Sequence, residues 1–162
     1  DVIAKVWDDY KKHQWCWAAG TLIISKDGAD VDSINFKPGD VRNLIKKNCV
    51  PHQATFISRD LFIESGGFDE DMKQAMDYDL WLRFTYVYKM RLHVLPFIVA
   101  RFDSSGESTK LLPLLNGNVV ARTKMVRQYG ARTTRMTDLL FYSRIIVYWI
   151  FYRMSMYLKG FF

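Results

Sequence analysis

Ser65-Gly-Gly-Phe-Asp-Glu-Asp-Met-Lys-Gln-Ala-Met-Asp-Tyr-Asp-Leu-Trp-Leu-Arg83 is the stretch from which the rest of the chain is read. Two glycines end one element, a short acidic loop follows, and an aspartate-led helix begins. From Asp69 to Asp79 there are five carboxylates (Asp69, Glu70, Asp71, Asp77 and Asp79) against one cation, Lys73. Like charges this close repel, so a fold tolerates them on a solvated loop or around a metal or a reacting group. Immediately upstream, Val50-Pro-His-Gln-Ala-Thr-Phe-Ile-Ser58 is apolar and β-rich, which predicts a buried strand over 50–58. Strand, short helix, Gly-Gly, acidic loop and helix in that order can build a site at a strand's end.

Working outward, residues 1–13 read as a helix with Ile3, Val6, Trp7 and Tyr10 on one face. A strand is expected over 15–25, with a hairpin-like turn at Lys26-Asp-Gly28. Residues 30–40 are polar and read as irregular, and Asp40 is placed to cap a short helix through Lys47. A helix from Ser58 or Arg59 stops at Gly66, and the next helix spans 77–89 with Leu80, Phe84 and Val87 or Tyr88 inward. Residues 91–102 alternate as a strand does, with Pro96 marking an edge or bulge. Two C-terminal helices follow, over 114–129 and 139–162, the first closed by Gly130. The fold class is therefore mixed α/β, with helices concentrated at the C-terminal end.

At 162 residues the chain is one domain or part of one, long enough for a core of its own. Its net charge of +6 hides an asymmetry. Residues 1–109 carry 14 Lys and Arg against 16 Asp and Glu, whereas residues 110–162 carry nine against one, Asp138. A basic tail on a near-neutral body points to an anionic partner, a phospholipid surface or a nucleic acid. Cys16 and Cys49 make neither a metal-type pair nor a disulfide framework, so two reduced structural thiols in a cytoplasmic setting are expected. The chain opens on Asp1 with no initiator Met, so its true N-terminus is expected to lie upstream.

Three ordered pieces carry a resemblance: His52-Gln53-Ala-Thr-Phe56, Ser65-Gly-Gly-Phe-Asp-Glu70 and Ala75-Met-Asp-Tyr-Asp-Leu-Trp-Leu-Arg83. Together they are similar to the C-terminal half of family 2 glycosyltransferases, inverting nucleotide-sugar-dependent enzymes with the GT-A fold (Rossmann-like), most of all bacterial enzymes of surface-polysaccharide biosynthesis. The resemblance implies that residues 1–109 are the acceptor-side part of such a domain and 110–162 a basic, aromatic helical extension. It implies a nucleotide-sugar donor, a glycan or lipid-linked acceptor, and Asp77 as the catalytic base. Inverting transfer is one in-line displacement at the anomeric carbon, so a carboxylate must take the acceptor hydroxyl's proton as attack proceeds. The family's Glu before this Asp is replaced here by Met76. The family's divalent cation, Mg2+ or Mn2+, is held against the diphosphate by an Asp-x-Asp motif in the N-terminal half, which this chain lacks. Asp1 stands where the last acid of that motif falls, and the chain is expected to be a fragment lacking most of the donor site.

Each of these residues has a plainer use. Asp77 reads, on the bare residues, as the N-cap of helix 77–89. Asp79 and Arg83 are spaced i, i+4 and suit an ordinary surface ion pair as well as substrate binding. His52 and Gln53 line a donor or acceptor pocket or sit in the core, and Phe68 and Trp81 stack on a sugar or pack inside. Ser104-Ser-Gly-Glu-Ser108 resembles the family's mobile loop, a lid in which Ser108 meets the donor, or it is a solvated connector. Asp69, Glu70 and Asp71 read as a solvated turn, without the spacing of a calcium loop.

The tail from Leu139 is strongly aromatic, but its longest uncharged run, residues 145–152, is far short of the ~20 apolar residues a spanning helix needs. Arg144, Arg153 and Lys159 among aromatics suit an interfacial helix, so peripheral attachment to the inner leaflet of the cytoplasmic membrane is expected. A helix packing on another protein surface is the alternative. A non-catalytic membrane or assembly module is the rival to the enzyme. A nucleic-acid binder is disfavoured, because the basic residues are interleaved with bulky aliphatics and no binding motif is present.

Overall fold

The computed structural model describes residues 1–26, 28–35, 40–46, 48–72, 74–103, 111–130 and 133–159. One strand, β1 (Trp17–Lys26), organises the rest. β2 (Ala29–Ile34) and β3 (Thr55–Ile57) pair antiparallel with it, over residues 22–26 and 17–19 respectively. β4 (His93–Asp103) runs parallel to it from Ala18 to Ser25. A strand has two edges, so β2 and β3 share one of them end to end while β4 takes the other. The sheet is open and mixed, and the class is α/β as the sequence predicts.

β1 shows the two-residue period that decides which layer each side chain joins. Trp17 and Ala19 point into the larger core with Leu44, Tyr78, Leu80, Trp81, Phe84 and Met125. Ala18 points to the opposite face, where Val6 and Leu95 form a smaller cluster beneath helix α1 (Val2–His13). Helices therefore flank the sheet on both sides. On the larger face lie α3 (Met76–Leu82) and α4 (Leu111–Tyr129), with a 3₁₀ segment, Asp40–Lys46. α2 (Arg59–Glu64) leads into the glycine pair, and α5 (Arg135–Lys159) closes the chain.

Several elements differ from their sequence reading, each for a physical reason. Residues 50–58 are not one buried strand: His52–Ala54 is a 3₁₀ turn, and only Thr55–Ile57 pairs with β1. Residues 29–34 form β2 although they look irregular, because a strand exposed along nearly its whole length shows no apolar alternation. The helix expected over 77–89 ends at Leu82 and widens into a π turn, Arg83–Val87, where the Tyr88 N–H reaches the Arg83 carbonyl at 3.0 Å. Of the apolar face read on α1, only Val6 is buried, and Ile3 and Trp7 are exposed.

Other features match. Ser58 caps α2, its hydroxyl accepting the Leu61 N–H, and Gly130 follows α4 with φ +64°. Pro96 lies where the β1–β4 register slips, on a strand whose only described strand partner is β1. Cys16 is exposed and Cys49 half-buried, and no disulfide joins the two. α5 docks through Arg122 of α4, whose guanidinium is buried, donates from Nε to the Ile45 carbonyl at 3.0 Å, pairs with Asp138 and lies 4.5 Å over the Phe141 ring. Among the described residues no helix is long and apolar enough to cross a membrane.

Candidate functional site

Gly66 and Gly67 have φ of +79° and +63°, a left-handed pair that turns the chain sharply after α2. The acidic loop that follows is folded on itself. Asp69 accepts the Asp71 N–H on Oδ1 at 3.1 Å and the Met72 N–H on its carbonyl, also at 3.1 Å. Its second oxygen, Oδ2, meets Lys124 Nζ of α4 at 2.5 Å. That contact holds the Asp69 carboxyl below the usual carboxylate range. Glu70 and Asp71 face solvent, the turn expected for this cluster.

The loop ends at Ala75, whose φ of +59° puts a residue with a Cβ in the left-handed region at the start of α3. α4 crosses this corner closely. A Cβ on Gly117 would lie 2.9 Å from Ala75 Cβ and 3.0 Å from the Gln74 carbonyl oxygen. Asp77 follows in the first turn of α3, and since the residue before the helix is Ala75, Asp77 is not the N-cap.

Two residues of helix turn a side chain by about 200°, so Asp77 and Asp79 leave α3 on opposite sides. Asp79 points inward and is 0% exposed. Its Oδ2 accepts Arg83 Nε at 2.9 Å, and its Oδ1 faces Lys124 Nζ at 3.3 Å as a charge contact. Arg83, itself buried, spends its remaining donors on main chain: Nη2 gives to the Gly67 carbonyl at 2.6 Å and Nη1 to the Ser65 carbonyl. Lys124 thus joins Asp69 to Asp79. Burial works to lower its pKa, but the two carboxylates outweigh that and hold the ammonium above its ordinary value. The network ties the glycine turn, the acidic loop, α3 and α4 together. The surface ion pair expected of Asp79 and Arg83 is therefore a buried one, and neither side chain is open to a substrate.

Trp81 is also corrected. Its ring is 1% exposed, stacked on Trp17 at 5.5 Å and tilted against Phe84 at 5.8 Å, which leaves no face for a sugar. Phe68 is exposed and packs edge-on against Phe62 at 5.3 Å.

Asp77 points the other way, 23% exposed, and the structure brings His52 to it: Nδ1 lies 3.4 Å from Asp77 Oδ2. His52 is 56% exposed, at the start of the 3₁₀ turn before β3. Its hydrogen-bonding and charge contact with Asp77 raises its pKa above the ordinary histidine value, against partial burial. Gln53 follows on the same turn, half-buried. Ser108 lies outside the described residues, as does the loop expected to act as a lid.

Asp1 is the N-cap of α1, Oδ1 accepting the Ile3 N–H at 3.0 Å, and belongs to no group of three metal-ligating side chains among the described residues. A hard cation such as Mg2+ or Mn2+ needs several oxygen ligands, so Asp1 does not fit as its holder here. The one ligating group that the described residues do form, Asp9 with His13 and His93, lies on α1 and β4.

Sequence reasoning found Asp77 and His52 separately but missed that they meet. It also missed Lys124, for which a lone basic residue on an amphipathic helix gives no signal. No protein-family model matches the chain, and no curated protein matches it.

Proposed function

We propose that the chain is the acceptor-side part of an inverting, nucleotide-sugar-dependent glycosyltransferase of family 2 and GT-A type, with Asp77 as its base. The observation that carries this reading is the division of labour among the acids. Asp69 and Asp79 are consumed by Lys124 and Arg83, while Asp77 stays part-exposed with a titratable neighbour, His52. The three-part resemblance at residues 52–56, 65–70 and 75–83 supports it independently.

On this reading an acceptor hydroxyl on a glycan or lipid-linked sugar gives its proton to Asp77 as its oxygen attacks the anomeric carbon of the donor. The bond to the nucleoside diphosphate breaks in the same step, so the configuration inverts. The buried network below fixes the carboxylate in place. The described residues do not fit the family's divalent cation. The test is Asp77→Asn in the whole protein, assayed for sugar transfer and for donor binding. Transfer is expected to fall by about 10²–10⁴-fold, the usual worth of a general base, with donor affinity within about twofold. Transfer within tenfold of wild type removes Asp77 from the role.

A second feature favours a membrane-surface setting for the same protein. Met136, Leu139, Leu140, Val147 and Ile150 of α5 are exposed large apolar side chains spaced to share a stripe. With the basic tail, such a stripe suits the interface of an anionic bilayer, beside which a lipid-linked acceptor would lie. Flotation with vesicles of phosphatidylcholine and phosphatidylglycerol is expected to carry the wild type and to leave the Leu140→Asp, Val147→Asp double variant behind. Equal recovery of the two sinks the membrane reading and favours a protein-covered helix.

A further inference from the structure

We propose that Asp9, His13 and His93 form a binding site for a divalent transition metal, with Zn2+ the best match to the donors. The site lies on the opposite layer from Asp77, at the seam between α1 and the first residue of β4, and does not depend on the transferase reading.

The placement follows from the chain's own periodicity. Asp9 and His13 are four apart on α1 and share one face, and β4 begins with His93 paired to Ala18 of β1. One ligand atom from each of the three residues lies within 4.8 Å of the other two. The two oxygens of Asp9 face different imidazoles, Oδ1 at 2.8 Å from His93 Nε2 and Oδ2 at 4.0 Å from His13 Nε2. In a tetrahedral zinc site, with bonds of about 2.0–2.2 Å, neighbouring donors stand about 3.3 Å apart. Side-chain movements of no more than about 1.5 Å, the difference between these spacings, close the group on an ion.

The surroundings hold the ligands rather than compete for all of them. Trp15 Nε1 donates to Asp9 Oδ1 at 2.9 Å, which orients the carboxylate and leaves Oδ2 for a metal. The Trp15 ring stacks on His93 at 6.2 Å with only 14° between planes, and the rings of His13 and His93 stand 4.9 Å apart. Beyond His13 the chain turns at Gln14, with φ of +48°, whose side-chain amide donates to the Tyr10 and Lys11 carbonyls and fixes the helix end.

Two imidazoles and one carboxylate are the donors that zinc and its neighbours take, and not those of the hard cation discussed above. His13 is exposed, so a fourth position is open to water. An ion there would bolt α1, which buries only Val6, onto the sheet.

The test is titration of the metal-stripped protein with Zn2+ by calorimetry, with Co2+ absorption as a report on geometry. One equivalent is expected to bind, and His13→Ala and His93→Ala are each expected to weaken binding at least about tenfold. Zn2+ should raise the melting temperature of the wild type more than that of His13→Ala, an exposed helix-end variant that keeps the fold. Cys16→Ser is expected to change neither result. No binding, or binding that survives both histidine variants, overturns the site, as does binding lost only in Cys16→Ser, which would assign the ion to the thiol.

Discussion

Asp77 and Asp79 stand two residues apart in one short helix, yet they occupy different media. Asp79 is sealed between Arg83 and Lys124, and Asp77 meets a half-exposed histidine at the rim. The residue type is the same, and so is the local helix. What differs is the direction each side chain leaves the axis, and with it the dielectric and the partners. A carboxylate in a buried network positions its neighbours. A part-exposed carboxylate beside a part-exposed imidazole is one that a substrate can reach.

The sharpest way to break this contrast is to remove each carboxylate in turn and measure urea unfolding. Asp79→Ala leaves Arg83 and Lys124 facing an empty place and is expected to cost about 3–5 kcal/mol. Asp77→Ala removes only a rim contact and should cost no more than about 0.5 kcal/mol. Equal costs would mean that the two acids do the same structural work.

A smaller effect is expected at the corner that aims Asp77. Ala75 holds a left-handed conformation that glycine adopts freely, and its Cβ abuts α4 at Gly117. Ala75→Gly should raise stability by about 0.5–1 kcal/mol in the same unfolding experiment, with transfer activity within about twofold. A destabilised variant would show that the Ala75 methyl contact with α4 outweighs the backbone strain.

The smallest effect concerns His52 and pH. Its pKa is raised in the folded state, so its pairing with Asp77 contributes stability below about pH 6.5, and that is lost as pH rises through the folded value. The difference in unfolding midpoint between wild type and His52→Gln should therefore be larger at pH 5.5 than at pH 8.5. On the proposed reading, transfer should run the opposite way, because an imidazolium bound to Oδ2 would compete with the acceptor hydroxyl. An ascending limb of the rate–pH profile above about pH 6.5 is expected in the wild type and absent in His52→Gln.

What could be read from the sequence was whatever short-range chemistry decides. Ser58 as a cap, the glycine pair as a stop, and β1 and β4 as strands all depend on residues a few positions away. What escaped depends on distance along the chain. Asp79 and Arg83 look like a surface pair until Lys124, on another helix, comes down beside them. Trp81 reads as a sugar platform or as a core residue until Trp17 stacks on it. The helix over 77–89 breaks early, and nothing between Arg83 and Tyr88 announces the π turn. Asp9, His13 and His93 come together only because β4 returns beside β1.

β1 carries one last consequence. With β2 and β3 lined up along one edge, over residues 22–26 and 17–19, and β4 along the other, both edges of the central strand are already occupied. Any strand that extends this sheet, from the same protein or another, must therefore join on the outer side of β2, β3 or β4. Pro96 lacks an amide hydrogen, and β4 slips register around it, so the outer side of that strand is a broken template rather than a continuous one. The centre of the sheet is closed to addition, and its growth is confined to the flanks.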